Sequence, residues 1–200
     1  MAGRRMGPAD AAVRIKVLDA TERVLARDGY PAVTSRNVGK EAGVNQKLVF
    51  YYFQNMEELV VATFRRRSEA FLAELTTLQN AASPIRSLWT LISDRSGRLV
   101  IEFMAMATRN EVLRREVAAY SLRANQLINS VLEKSLSFVP GEGSTGSPAF
   151  VNFAMASIAR NLILESELGL LDSPGELIAS IESWIDQLDS VASAERRVVS

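Results

Sequence analysis

The run most suggestive of chemistry in this chain is Asn45-Gln46-Lys47, followed about a turn later by Tyr51-Tyr52. A Gln amide offers a donor and an acceptor side by side and matches the edge of adenine, while a Lys ammonium matches the O6/N7 edge of guanine. Phenolic hydroxyls a turn further on suit phosphate oxygens. Upstream, Thr34-Ser35-Arg36 combines two hydroxyls, a guanidinium and the free N–H groups of a helix start, which together make an anion site. This set suits recognition of base edges and phosphates. The composition argues the same way by exclusion. The 200 residues contain no Cys and no His. Disulfides, thiolate nucleophiles, Cys or His metal sites, the Ser-His triad and the commonest general base are all absent. No metal or cofactor is expected. An enzyme would have to work with carboxylates, and Glu102 and Glu165 are the candidates for a base.

The elements that must position these residues are helical. Apolar residues at Val13, Val17, Ala20, Val24 and Leu25 keep helical spacing and stop at Gly29. Residues 1–9, with Arg4 and Arg5, read as a basic arm ahead of that helix. Thr34 is an N-cap for a short helix with Val38 and Ala42 on its inner face, ended by Gly43 in a left-handed turn. Asn45 caps the next helix, whose apolar side uses Leu48, Val49 and Phe53. Asn55 caps a fourth, with Glu57 and Glu58 in its first turn, where the helix dipole favours acids. It extends to about residue 80. Two short helices joined by a tight glycine turn, the second polar and basic at its start, form a helix-turn-helix over 34–53, in which the second helix enters a major groove.

Later helices are expected near 84–93, 95–107, 110–137, 147–167 and 174–193, with a Gly/Ser/Pro-rich loop at 141–148. No strand pattern appears, so the fold class is all-α with about nine helices. The chain carries 23 basic and 23 acidic residues. Residues 1–60 hold 9 Lys/Arg against 7 Asp/Glu, the sign expected of a module that meets a polyanion. The longest uncharged stretch, 143–159, is too polar for a membrane span, and no secretory signal is evident, so a cytoplasmic protein is expected.

The N-terminal pattern resembles the TetR family of one-component transcriptional regulators. The resemblance covers residues 11–71. It rests on Gly29-Tyr30, Thr34, Val38-Gly39-x-x-Ala42-Gly43-Val44, Phe50-x-Tyr52-Phe53 and Asn55-x-Glu57-Glu58-Leu59. Three positions depart from the family's usual residues: Leu48 for Thr or Ser, Phe50 for Tyr, and Met56 for Lys. The resemblance implies a DNA-binding domain at 11–71 and a C-terminal ligand-binding and dimerisation domain at 72–200. It further implies a homodimer on a near-palindromic double-stranded operator, and a small-molecule effector that shifts the two heads through the fourth helix. The expected DNA-contacting residues are Thr34, Ser35, Arg36, Asn45, Gln46, Lys47, Tyr51 and Tyr52.

The C-terminal part offers two readings of its apolar residues. Residues 99–107 are apolar all round except Glu102, so that helix is expected to be buried on most sides. Trp89, Glu102, Phe103, Met104, Met106 and Phe153 are either core or the lining of a largely apolar effector pocket. Glu102 would be its polar anchor, with Arg98 one turn earlier as a partner. The stripe Ile178, Ile181, Trp184, Ile185 and Leu188 is the expected dimer interface. Arg65-Arg66-Arg67 point in three directions and are expected to be solvated. The function so implied is a ligand-responsive regulator, most simply a repressor. A constitutive helix-turn-helix protein without an effector, and a carboxylate-based all-helical enzyme, are the alternatives.

Overall fold

The computed structural model describes residues 8–94, 97–136, 147–171 and 174–198. The arm with Arg4 and Arg5, most of the loop at 141–148, and the Asp172-Ser173 helix start lie outside the described residues. Nine α-helices run in order, and no strand occurs among the described residues. They are α1 (Pro8–Asp28), α2 (Ser35–Ala42), α3 (Gln46–Tyr52), α4 (Met56–Thr77), α5 (Pro84–Ser93), α6 (Gly97–Ala107), α7 (Glu111–Ser135), α8 (Pro148–Leu168) and α9 (Pro174–Val198). Helix α1 therefore starts inside the segment expected to be an arm. Pro8 suits a first helical turn, where no backbone N–H is needed. Helix α4 ends at Thr77, and a single 3-10 turn covers Leu78–Asn80.

The chain divides into two compact units. The first comprises the described residues up to Glu69 together with Leu99–Val117, the second Ala70–Arg98 with the described residues from Ala118 onward. The first break falls next to the expected boundary at 71/72. The segment 99–117, expected to belong with the C-terminal domain, clusters instead with the N-terminal head.

In the first unit, Val17, Leu18, Ala20, Val24 and Leu25 of α1 are buried with Val38, Val49, Phe53, Leu59 and Phe64. Helix α2 packs on α1 and on α3. Phe64 meets Phe103 edge-on with centroids 5.2 Å apart, and Asn110 donates to Glu57 at 2.6 Å. Leu99, Phe103 and Ala107 are buried, whereas Met104 is exposed. Helix α6 thus buries one face, at i, i+4 and i+8, rather than most sides. Its apolar character is wider than the surface it covers.

The arginine run on α4 is not simply solvated. Arg65 forms a two-pronged pair with Glu116 of α7, and Arg66 bonds Asp19 and Glu22 of α1. Arg65 holds the Glu116 carboxyl below its usual range. Sequence separation hid these partners.

In the second unit, one core cluster joins Leu72, Leu75, Ile85, Leu88, Trp89, Leu132, Val151, Met155, Ile181, Ile185 and Leu188. Helix α5 packs on α8 and α9. Its free first-turn N–H groups are capped by Asp189 of α9, whose carboxylate accepts from Ile85 at 3.1 Å. Arg86 and Trp89 both donate to Glu182, Trp89 at 2.9 Å. These contacts correct the expected dimer stripe. Ile181, Ile185 and Leu188 turn into their own subunit, and Trp184 packs partly buried against the same cluster. Of that stripe only Ile178 is an exposed large apolar residue, together with its neighbour Leu177.

Candidate nucleic-acid interface

The α2–α3 turn is built by local chemistry. The Thr34 hydroxyl accepts from the N–H of Asn37 at 3.2 Å and starts α2. At its end Gly43 takes φ 67°, ψ 31°. Val44 N–H bonds back to Gly39 O at 2.9 Å and Gly43 N–H to Lys40 O at 3.2 Å, which satisfies the last carbonyls of α2. Gly39 has a different task. A β-carbon there would lie 3.1 Å from Val44 O and 3.2 Å from the backbone of Gln46. That is tighter than most β-carbon contacts, so a side chain there would require the backbone between α2 and the start of α3 to give by a few tenths of an ångström. Asn45 then caps α3 by accepting from Lys47 N–H at 2.9 Å. Asn55 caps α4 in the same way, accepting from Glu58 N–H at 2.8 Å. The result is a rigid bend that fixes the direction of α3 from within one stretch of 22 residues (34–55).

Helix α3 has one inward side. Val49 and Phe53 are fully buried, and the Arg14 guanidinium lies over the Phe53 ring at 5.0 Å. Leu48, expected on the apolar side, is 37% exposed, and Phe50 and Tyr51 are exposed as well. Position explains this. Residues one step from Val49 sit about 100° away on the wheel, on the flanks of the helix. Gln46 and Lys47 are exposed at the tip of α3. Tyr51 and Tyr52 contact each other edge-on at 4.9 Å.

The electrostatics favour an anion. Between Thr34 and Met56 the sole acid is Glu41. It is held by Arg23 at 2.8 Å and by Arg27 at 3.1 Å, both from α1. Arg23, then Arg27, keep its carboxyl below the usual range, so it stays charged and already paired. Arg36, Lys40 and Lys47 are exposed and make no ion pair among the described residues. The expected contact residues thus come together on α2 and α3, with one refinement. Thr34 and Asn45 spend an oxygen on capping, which leaves the Thr34 O–H and the Asn45 NH2 as the groups free to donate. Ser35 is half-buried and Arg36 exposed at the same helix start.

The expected pocket residues are divided between the two units: Trp89 and Phe153 belong to the second, Glu102, Phe103 and Met106 to the first. Phe153 is 69% exposed, while Trp89 and Phe103 are buried. The half-buried Glu102 lies beside Gly29, its Oε1 3.7 Å from the position a β-carbon would take there. Its expected partner Arg98 pairs instead with Glu167 at 3.4 Å. Among the described residues no cluster of three potential metal-binding side chains occurs, and no helix is long and apolar enough to cross a membrane.

Comparison with known proteins meets this geometry in the head. Residues 17–63 match the family described as bacterial regulatory proteins, tetR family. The match is confined to this N-terminal stretch. It is 34% identical over 133 residues to the HTH-type transcriptional regulator BetI of Rhizobium meliloti, covering 58% of this chain and 64% of that protein. It is 26% identical over 129 residues to the fatty acid metabolism regulator protein of Bacillus subtilis, covering 64% of each. The matches thus span just under two thirds of either relative. A putative transcriptional regulator from Saccharomonospora viridis, solved in complex with choline, shares the fold. Its TM-score is 0.66 at 15% identity, with 92% of this chain and 95% of that chain covered.

Proposed function

We propose that this protein is a homodimeric, ligand-responsive DNA-binding regulator that represses from a near-palindromic operator and is released by a small, largely apolar molecule. One observation carries the DNA-binding part. The Gln46-Lys47 tip of α3 is exposed, and the Asn45 cap and Gly39–Gly43 turn aim it as a rigid unit. The matched relatives are named as regulators, which supports the same reading. The enzyme alternative has no such support, and its second candidate base, Glu165, already accepts from Asn161 at 2.7 Å.

The dimer follows from what α8 and α9 leave uncovered. Phe150, Phe153, Leu164, Leu168, Leu177 and Ile178 are large, apolar and exposed. A second copy would cover them, pairing the two recognition helices with half-sites about 34–36 Å apart or a multiple of that. An effector releases DNA only if it binds the DNA-incompetent state more tightly. The relatives' names point to two chemistries, fatty acid metabolism and choline. An apolar chain suits this body better. Its core is mostly aliphatic, and Glu182, a carboxylate beside Trp89 of that core, is already bonded to Arg86 and Trp89.

The constitutive reading has one observation in its favour, the tight burial of Trp89 and Phe103. A single experiment separates the two. Genomic fragments bound by the protein are selected, and fatty acids of graded length and choline are then titrated against the bound site. Release by an apolar chain, with a raised Tm, is the expected result. Specific binding that no compound alters would establish the constitutive protein. Absence of any selected site would remove the DNA-binding reading. Affinity should also fall steeply between about 50 and 200 mM salt as counterions are released.

A further inference from the structure

We propose that Leu48 and Phe50 read the C5-methyl groups of thymine, so that the operator half-site carries thymines flanking the bases met by Lys47. This rests on the DNA-binding reading above and specifies its partner. The argument is geometric. With Val49 pointing into the core, Lys47 and Tyr51 lie about 160° from it on either side and face outward. Leu48 and Phe50 lie about 100° to either side of Val49 and bracket that outward arc.

Both are exposed in the folded head, Leu48 at 37% and Phe50 at 50%. Neither packs into the head's core, which Val49 and Phe53 already occupy on this helix. Neither can donate or accept a hydrogen bond, so neither can serve phosphate. Within a major groove, the feature that rewards an apolar side chain is the thymine methyl, which distinguishes thymine from every other base edge there. The surroundings fit a DNA partner rather than an apolar protein surface. Gln46 and Lys47 are exposed on the same helix, Arg36 and Lys40 are exposed on α2, which packs on α3, and Glu41 is paired with two arginines of α1. Burying the Leu48 and Phe50 side chains against methyls would convert exposed apolar surface into affinity and specificity together.

The test begins by selecting bound duplexes from a random pool with the full-length protein. Each thymine of the selected half-site is then replaced singly by deoxyuridine, which keeps the hydrogen-bonding edge and removes only the methyl. At one or more thymines next to the Lys47-contacted base, affinity should fall roughly fourfold, the change expected from burying one methyl group. At those positions Leu48→Ala or Phe50→Ala should bind thymine and deoxyuridine equally, while circular dichroism shows both variants folded. A selected site in which every thymine tolerates deoxyuridine overturns this proposal and leaves the DNA-binding reading intact. A pool with no enrichment overturns both. Variants that change self-association and not operator affinity would make the pair a protein contact, which also overturns it.

Discussion

The two units spend their side chains differently. In the head, short-range polar bonds set the backbone. Thr34, Asn45 and Asn55 each cap a helix within three residues of themselves. In the second unit, long-range apolar contacts dominate, and the polar bonds that matter join residues about a hundred positions apart, as from Ile85 to Asp189. The first arrangement fixes the direction of one helix from within a single short segment. The second joins helices far apart in the chain and leaves large apolar residues of α8 and α9 exposed. Local hydrogen bonds thus set the direction of α3, whereas packing between distant helices sets the second unit.

The contrast can be broken most forcefully in the second unit. Ile185→Ala removes a fully buried side chain from its core and should cost about 2–5 kcal/mol of stability, read as a fall in Tm. A loss under 1 kcal/mol would mean that this core is loosely packed. Phe153→Glu, at an exposed site, should leave the helical content unchanged and convert dimers to monomers in sedimentation. A dimer that survives would move the interface away from α8.

In the head, Lys47→Ala and Gln46→Ala should each weaken specific binding by roughly 1–3 kcal/mol without changing Tm. Equal affinity for the selected operator would remove their role in reading bases. Gly39→Ala forces a methyl against backbone atoms and should cost about 1–3 kcal/mol of head stability. The smallest effect is expected from Glu41→Gln. The Glu41 carboxyl is depressed in the folded state, so its contribution is present above the ordinary value of 4.5 and is lost as pH falls below it. The variant should melt slightly earlier at neutral pH, and the gap should close in acid and in high salt. A gap that widens in acid would assign Glu41 another role.

The sequence was most informative where the physics is local. The caps at Thr34, Asn45 and Asn55 and the left-handed Gly43 depend on residues within a turn of each other, and all were legible. The family pattern added Gly39, whose reason became visible only when α3 was placed beside it. Partner choice was not legible. Arg66 reaches Asp19 and Glu22, and Arg98 pairs with Glu167 rather than Glu102, because such pairs depend on how distant helices come together. The inward face of α9 was obscured for a related reason. Ile178, Ile181, Trp184, Ile185 and Leu188 form one stripe on paper, and only neighbouring helices decide which of them a subunit keeps for itself.

The clustering of Leu99–Val117 with the head limits how the protein can be cut. A fragment ending near residue 70 would keep α2 and α3 yet strip the cover from Phe64 and leave Arg65 and Glu57 without Glu116 and Asn110. Such a truncation would be a greasy, unbalanced peptide prone to clumping. Anyone wishing to transplant the N-terminal head onto another scaffold must carry the distant segment along or redesign the face it shields.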